Sequence, residues 1–199
     1  MAMISCILLS AGLSSRFGSP KALAKFTDSI IIEHEQKILI NSRVDKIIVV
    51  LGARAEEIKP YLLKHKKINV VYNKDYKLGQ TSSFKTGLKA ASGSAGIMLL
   101  PVDYPFVKTD TINQLIEYFL KNNPPILIPT YQARRGHPPV FSSSLSKDFI
   151  SLDNKMGINE VLHRYDREAV YLAVDDKGIV ATFNTPEELA EIKSQFISA

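Results

Sequence analysis

The stretch "ILLSAGLSSRFGSPKAL", Ile7–Leu23, joins an apolar run to the residue types that bind phosphate groups. Gly12 and Gly18 let backbone amides approach an anion closely, because glycine has no side chain in the way. Arg16 offers a planar fork of donors that matches a phosphate, and Lys21 offers a mobile point charge. We therefore predict an anion-binding loop with these candidate contacts: Ala11, Gly12, Leu13, Ser14, Ser15, Arg16, Gly18 and Lys21.

The loop matches neither of the common phosphate-binding templates. A dinucleotide-binding fingerprint needs the spacing G-x-G-x-x-G, whereas only Gly12 and Gly18 occur here. A Walker loop needs four residues between its glycines and then Lys-Ser or Lys-Thr, whereas five residues intervene here and Ser19-Pro20 precede the lysine. The alternative is an ordinary strand-to-helix turn with surface cations. Glycine, serine, arginine and lysine together directly after one apolar run favour the anion site.

A second candidate is Asp103 in "LLPVDYPFV", Leu99–Val107, where it follows an apolar run and lies between two prolines. A carboxylate at the end of a strand, opposite a phosphate loop, is well placed to hold Mg²⁺. The simpler alternative is an aspartate that stabilises a turn. The residue alone does not separate these two interpretations.

The third candidate segment is "LGQTSSF", Leu78–Phe84, at the start of a predicted helix. Gly79 permits close approach of the backbone to a ligand. The hydroxyls of Ser82 and Ser83 either donate to that ligand or cap the helix, and the sequence leaves both roles open.

Apolar runs alternate with helical patterns along the chain. The predicted strands are Ile4–Leu9, Lys46–Leu51, Ile68–Tyr72, Gly96–Val102, Ile126–Pro129 and "YLAVDD", and the extended segment "RRGHPPVFS" precedes the last of them. The predicted helices are Ala55–Lys66, Thr81–Ala91, Thr109–Lys121 and Pro186–Phe196, the last with Thr185 as its N-cap. This pattern indicates one α/β domain over residues 1–199, with a Rossmann-like, mostly parallel sheet and helices on both faces. Ligands of such sheets bind at the carboxyl ends of the strands, where the three candidate segments lie.

The composition is that of an ordinary globular protein, with 45% hydrophobic and 23% charged residues among 199. The formal net charge of +5 suits anionic small molecules, and the scattered lysines argue against nucleic acid. Cys6 is the single cysteine, so an intrachain disulfide and a cysteine zinc cluster are excluded, and its apolar neighbours predict a buried thiol. The lack of a signal peptide and of a long apolar run predicts a cytoplasmic protein with no membrane partner.

Taken together, the motifs resemble those of the MobA/MocA-like nucleotidyltransferases, which have the nucleotide-diphospho-sugar transferase fold. "LLSAGLSSRFGSPK" is similar to the family signature L-x-A-G-x-S-x-R-x-G-x-x-K, and "NKDYKLGQTSSFKTGL", "LPVDYPFV", "RRGHPPVF" and "FNTPEEL" follow in the expected order. The family includes the molybdenum cofactor cytidylyltransferases and guanylyltransferases. Its members transfer the nucleoside monophosphate of an NTP, bound with Mg²⁺, to a phosphorylated acceptor and release pyrophosphate.

The resemblance implies a role for each candidate segment. The loop with Arg16 and Lys21 would wrap the NTP phosphates, Asp103 would hold Mg²⁺, and Gly79–Ser83 would lie near the base and sugar. The residues implied on the acceptor side are Arg135, Gly136 and His137.

One departure concerns the metal. Relatives often carry two polar residues in the motif before the last helix; Thr182 replaces the first, and Asn184 keeps the second as an implied metal contact.

The resemblance also predicts the substrates. "RRGHPPVF" favours the cytidylyl branch and hence CTP, whereas "FNTPEEL" is nearer to the guanylyl branch and GTP. The expected acceptor is a phosphorylated small molecule such as the molybdopterin cofactor, and a molybdoenzyme client is a further implied partner. Two alternatives remain: a sugar-phosphate nucleotidyltransferase, and a non-catalytic nucleotide-binding accessory protein.

The chemistry of this transfer suits the candidate residues. An acceptor phosphate is already an anion, so its attack on the α-phosphorus needs positioning and charge neutralisation more than a strong base. His137 therefore need not be a base; it either hydrogen-bonds the acceptor or braces the Pro138-Pro139 turn.

Overall fold

The computed structural model describes residues 2–197. In this part of the chain the strands are β1 (Ile4–Ser10), β2 (Lys46–Leu51), β3 (Ile68–Tyr72), β4 (Gly96–Pro101), β5 (Ile126–Tyr131), β6 (Arg134–Arg135), β7 (Val140–Ser142) and β8 (Ala169–Ala173). The helices are α1 (Ile31–Asn41), α2 (Ala55–Ile58), α3 (Gln80–Ala90), α4 (Thr109–Asn122), α5 (Ser146–Ser151), α6 (Asn159–Arg164) and α7 (Pro186–Ile197).

All eight strands belong to one sheet with the order β3-β2-β1-β4-β7-β5-β6, and β8 pairs with β5 outside this path. The first four strands are parallel, so their carboxyl ends share one edge of the sheet. Leu9 pairs with Pro101, and the amide of Val102 donates to the carbonyl of Leu9 at 3.0 Å. The segments after β1 and β4 therefore leave the sheet side by side, which brings the predicted phosphate loop next to Asp103.

The strand β7 makes the sheet mixed, because it runs antiparallel between β4 and β5. The hairpin strand β6 pairs with the far end of β5, through Thr130 and Tyr131. The segment predicted to be extended, "RRGHPPVFS", thus forms two short strands with Gly136–Pro139 between them. The expected mostly parallel α/β fold is confirmed, with β6 and β7 as its antiparallel strands.

Helices cover both faces of the sheet, as the continuous apolar strands predicted. In β1 the side chains of Ile4, Cys6 and Leu8 pack on one face, with α1 and α4. Ile7 and Leu9 point to the opposite face, where α3 and α5 pack. This alternation explains why all seven positions of β1 are buried.

Two predicted elements differ most from the structure. The helix expected over Ala55–Lys66 ends at Ile58 and continues as a short 3-10 turn, Lys59–Tyr61. Pro60 explains the early end, because a proline in a helix interior lacks an N–H and clashes with the preceding turn. The strand expected at "YLAVDD" is Ala169–Ala173, so it begins two residues earlier and ends before the aspartates.

The amino end of the last helix is as predicted. The hydroxyl of Thr185 accepts a hydrogen bond from the amide of Glu188 at 3.2 Å, which satisfies one of the free amides of the first turn of α7. Among residues 2–197, none of the helices has the length and apolar character needed to cross a bilayer.

Candidate active site

The loop after β1 folds back on itself in a tight turn. The carbonyl of Ser14 accepts from the amides of Phe17 at 2.9 Å and Gly18 at 3.1 Å, and the Ser14 hydroxyl accepts from the amide of Lys21 at 3.3 Å. Gly18 has φ +78°, a left-handed conformation that favours glycine. A Cβ atom at Gly12 would meet no other atom within 4 Å, so the backbone there faces open space. The loop thus exposes backbone to a ligand at one end and is closed by hydrogen bonds at the other.

A cavity of about 400 Å³ lies against this loop, at the carboxyl ends of β1 and β4. Most of the predicted nucleotide and metal residues line it: Ala11, Gly12, Leu13, Ser14, Ser15, Arg16, Lys21, Gly79, Ser83, Asp103 and Asn184. The three candidate segments therefore meet around one space.

Lys21 is the centre of an ionic network on the wall of this cavity. Its Nζ lies 3.0 Å from Asp103 Oδ2, and it also donates to the carbonyl of Phe183 at 2.6 Å and to Asn184 Oδ1 at 3.2 Å. Arg16 Nη2 donates to the same Asn184 oxygen at 3.0 Å. Both cations are therefore joined to the segment before α7, and the lysine has an acceptor for each of its three protons.

A second cavity, of about 390 Å³, lies beside the first one. It is lined by the three residues predicted on the acceptor side, Arg135, Gly136 and His137, together with apolar side chains from β4, β5 and α6. Gln80, the first residue of α3, lines both cavities and marks the boundary between them.

The sequence model of the MobA-like NTP transferase domain matches residues 6–169 of this chain. The chain belongs to the MobA-like NTP transferase family. It is accordingly a nucleotidyltransferase, which is the enzyme class that the motifs predicted. Both the predicted phosphate loop and the segment of Asp103 fall inside the matched residues.

The similarity of this MobA-like transferase to known proteins covers most of its length. It is 26% identical to the molybdenum cofactor cytidylyltransferase of Escherichia coli K12 over 196 residues, 98% of each chain. A protein of Thermococcus sibiricus named "Probable molybdenum cofactor guanylyltransferase" is 25% identical over 146 residues, 73% of this chain and 70% of that protein. A Mycobacterium tuberculosis H37Rv protein, solved in complex with manganese, has the same fold with a TM-score of 0.78 and 21% identity, covering 97% of this chain and 99% of the other.

Two predicted contacts, Gly18 and Ser82, do not appear among the residues that line the first cavity. Gly18 closes the turn of the predicted phosphate loop, as described above. The Ser82 hydroxyl lies 2.9 Å from both the carbonyl of Asp75 and the carbonyl of Gly79, so its proton is used inside the protein. Both residues therefore stabilise the backbone next to the cavity.

The residues predicted on the acceptor side have clear structural contacts as well. A Cβ atom at Gly136 would overlap the carbonyl oxygen of Ile179, so only glycine fits there without a shift. His137 packs on the ring of Tyr104, with 4.4 Å between centroids, and its Nδ1 is 3.4 Å from the carbonyl of Leu99. Burial lowers the pKa of His137 below its usual value, so the imidazole is mostly neutral at pH 7. This state suits a hydrogen bond better than an ion pair with a phosphate.

The guanidinium of Arg135 is exposed and held by two neighbours. It lies 3.4 Å from Asp166 Oδ1 and over the ring of Tyr171, at 4.6 Å from the centroid. The Tyr171 hydroxyl donates to the same aspartate oxygen at 2.6 Å, and this bond is the largest cause of the lowered pKa of Asp166. The arginine is therefore aligned at the rim of the second cavity before any ligand arrives.

Sequence reasoning missed several residues of the two cavities. Tyr104, Asn159 and His163 line the second cavity and were not candidates for the site. Tyr104 directly follows Asp103, and that adjacency was the available signal. Asn159 and His163 are on α6, and none of the predicted motifs includes them. Gln80 lines both cavities and falls inside Gly79–Ser83, the segment expected near the base and sugar.

Cys6 and Glu35 are buried ionisable residues that line neither cavity. Cys6 has no exposed surface, and burial raises the pKa of its thiol, which confirms the predicted buried cysteine. Glu35 on α1 is only 1% exposed, and neither carboxylate oxygen has a hydrogen-bond partner among residues 2–197. Burial raises the pKa of Glu35 well above its usual value, and the nearby negative charge of Asp103 adds to that shift.

Proposed function

We propose that this transferase moves the nucleoside monophosphate of an NTP, with CTP preferred to GTP, onto a phosphorylated acceptor of the molybdopterin type and releases pyrophosphate. The observation that carries the proposal is the pair of adjoining cavities, one with Arg16, Lys21 and Asp103 on its wall. A triphosphate in the first cavity and an acceptor phosphate from the second could meet near Gln80. A molybdoenzyme client as recipient of the product is part of the same proposal.

Mg²⁺ fits the residues present in the first cavity. Among the described residues, no group of three or more His, Cys, Asp and Glu side chains is arranged to hold a metal. Mg²⁺ needs no such group, because one or two protein carboxylates and substrate phosphates complete its coordination. Asp103 supplies the carboxylate, and only its Oδ2 is engaged by Lys21. The metal would neutralise charge on the triphosphate when bound, and the manganese complex of the mycobacterial protein supports a divalent cation in this fold.

The protein's own residues bind and orient the reactants in this proposal. The exposed backbone at Gly12 and the hydroxyls of Ser14 and Ser15 donate to the phosphates, while Arg16 and Lys21 balance their charge. Lys21 already uses its three protons, so a phosphate oxygen must replace one acceptor, and Asn184, at 3.2 Å, is the most distant of the three. Arg16 also donates to this Asn184 oxygen, at 3.0 Å, so Asn184 would be released to face the metal once both cations turn to the phosphates.

On the acceptor side, Arg135 and neutral His137 would bind and orient the phosphorylated acceptor. Its phosphate is the nucleophile and is already anionic, so no residue has to remove a proton. In-line attack on the α-phosphorus forms one P–O bond and breaks the bond to pyrophosphate.

The preference for CTP rests on the "RRGHPPVF" segment, which favours the cytidylyl branch. The coverage of the relatives does not separate the two bases, because the cytidylyltransferase matches 98% of the chain and a protein of Bacillus velezensis named "Probable molybdenum cofactor guanylyltransferase" matches 95%. Loops that contain glycine, such as the one at Gly79, let backbone groups read the edge of a base directly. A site that hydrogen-bonds one base rejects an analogue because buried polar groups are then left unpaired.

The test is pyrophosphate release with CTP, GTP, ATP and UTP, each with a molybdopterin-type acceptor and with a panel of sugar phosphates. We expect the highest kcat/KM for CTP with the pterin acceptor. Preference for GTP would overturn the cytidylyl assignment alone. Turnover with sugar phosphates alone would show that the acceptor is a sugar phosphate and not a molybdopterin-type molecule. Binding of NTP without turnover on any acceptor would favour the accessory-protein alternative.

A further inference from the structure

Asn73 directly follows β3 and lies beneath the segment that lines the first cavity at Gly79 and Ser83. Its side chain is 5% exposed and makes three hydrogen bonds. The Oδ1 atom accepts a hydrogen bond from the backbone amide of Asp75 at 3.0 Å. A backbone amide can only donate, so this bond fixes which atom of the Asn73 side-chain amide is the oxygen. The Nδ2 atom must therefore face the two serines of α3.

Both protons of Nδ2 are used by these serines. Nδ2 donates to the hydroxyl oxygen of Ser82 at 2.9 Å and to that of Ser83 at 3.0 Å. Each serine thus receives a hydrogen bond from Asn73 and keeps its own proton for another partner.

The two serine protons have different partners. The Ser82 hydroxyl has two carbonyl acceptors at 2.9 Å, as described for the cavity walls. Among the described residues, the Ser83 hydroxyl has a single acceptor, the carbonyl of Gly79 at 3.4 Å, and this distance is longer than that of a good O–H···O bond. Because Ser83 lines the first cavity, its proton is available to a ligand there.

We infer that Asn73 is a positioning residue that makes Ser83 a hydrogen-bond donor toward an acceptor atom of the bound nucleotide. The inference rests on the proposed function, since the ligand of this cavity is taken to be an NTP. Asn73 acts through Ser83 and does not touch the ligand. Asn73 and Ser83 are only ten positions apart in the sequence, but their hydrogen bond depends on the end of β3 packing against the start of α3.

The substitution Asn73→Asp tests this inference because it reverses the polarity of the contact. An aspartate still accepts from the amide of Asp75, but it has no protons to give, so it draws the Ser83 proton away from the cavity. We expect the Kd and KM for CTP to rise about three- to tenfold, the loss typical of one neutral hydrogen bond, with a smaller change in kcat. Ser83→Ala should cause a similar rise, and adding it to Asn73→Asp should cause no further rise.

The matched control is Thr86→Val, which removes a hydroxyl one turn along the same helix. Thr86 donates to the carbonyl of Ser82 at 3.0 Å and does not line the cavity, so its loss disturbs α3 without removing a ligand contact. We expect a Kd for CTP within twofold of the unsubstituted protein. If Asn73→Asp does not fold, Asn73→Ala replaces it, because it removes the donors without adding a charge, and the same non-additivity with Ser83→Ala is expected.

Three results distinguish the outcomes. An unchanged Kd for Asn73→Asp, or a rise fully additive with that of Ser83→Ala, overturns the inference and leaves the proposed function standing. A rise of equal size in Thr86→Val assigns the effect to general disturbance of the helix and also overturns it. If the unsubstituted protein binds none of the four NTPs, the proposed function itself fails.

Discussion

Lys21→Met is the most informative single change in the ionic network, because methionine keeps most of the side-chain length and removes the charge. The substitution leaves the carboxylate of Asp103 and the carbonyl of Phe183 without the donor they share. The side chains of the Lys21–Asp103 pair are 13% and 24% exposed, so water only partly replaces the lost ammonium.

The expected loss of stability follows from this partial burial. Exposed ion pairs contribute about 0–1 kcal/mol, and removing one partner of a buried pair costs about 3–5 kcal/mol. A pair of intermediate exposure should lie between these limits, at about 2 kcal/mol. In a chain of 199 residues this corresponds to a fall in Tm of about 4–8 °C.

The assay is urea and thermal unfolding of Lys21→Met beside a matched control, Lys59→Met. Lys59 pairs with Glu56 at 3.7 Å, but the two side chains are 57% and 81% exposed, so the loss should stay below about 1 kcal/mol. Adding Asp103→Asn to Lys21→Met should restore part of the stability, because the uncompensated carboxylate is then gone. A fall in Tm no larger than that of the control, or full additivity of the two changes, would refute the reasoning.

Three further predictions concern single residues. Asp103→Ala should abolish pyrophosphate release but retain a cooperative unfolding transition, and near-normal turnover at saturating Mg²⁺ would contradict its assignment to the metal. Arg16→Ala should lower kcat/KM about a hundredfold, the usual loss for one preorganised donor to developing charge; unchanged kinetics would make the loop purely structural. Glu35→Met should raise the free energy of unfolding by about 1–3 kcal/mol, because it removes an unpartnered buried polar group. Burial raises the pKa of Glu35, so the folded protein keeps a proton that the unfolded chain releases above pH about 4.5, and stability falls as pH rises. In urea titrations, Glu35→Met should therefore increase the free energy of unfolding more at pH 8 than at pH 5. An equal increase at both pH values would contradict the assignment of a raised pKa to Glu35.

The sequence predicted the central strands well because each is a continuous apolar run. Burial on both faces of a parallel sheet demands such runs, so Lys46–Leu51 has the predicted bounds. Ile68–Tyr72 also has the predicted bounds, although it is the partly exposed strand at the edge of the sheet. It also predicted which loops follow these strands, and hence which polar residues reach the ligand-binding edge. These features depend on neighbouring residues only.

Helix α1 has a buried face that the local pattern does not predict. This face includes Glu35 and Gln36 beside Ile31, Ile32 and Leu39. Two polar residues on the buried side interrupt the apolar periodicity that indicates which face of a helix is buried. Gln36 is satisfied by partners far along the chain, among them the amide of Leu63 at 2.8 Å, and no short window of sequence shows such a bond.

Only the tertiary structure decided how the candidate residues are combined. Lys21 and Asn184 are 163 positions apart, yet they share a hydrogen bond because the segment before α7 returns to the edge where β1 and β4 end. The different partners of Ser82 and Ser83 likewise depend on Asn73, which packing places beneath them. Residue types determined what chemistry was available, because a side chain carries its donors and charge wherever it lies. Long-range pairing determined which of those groups were left free for a ligand, because each hydrogen bond made inside the protein uses a donor or acceptor that a ligand could otherwise have taken.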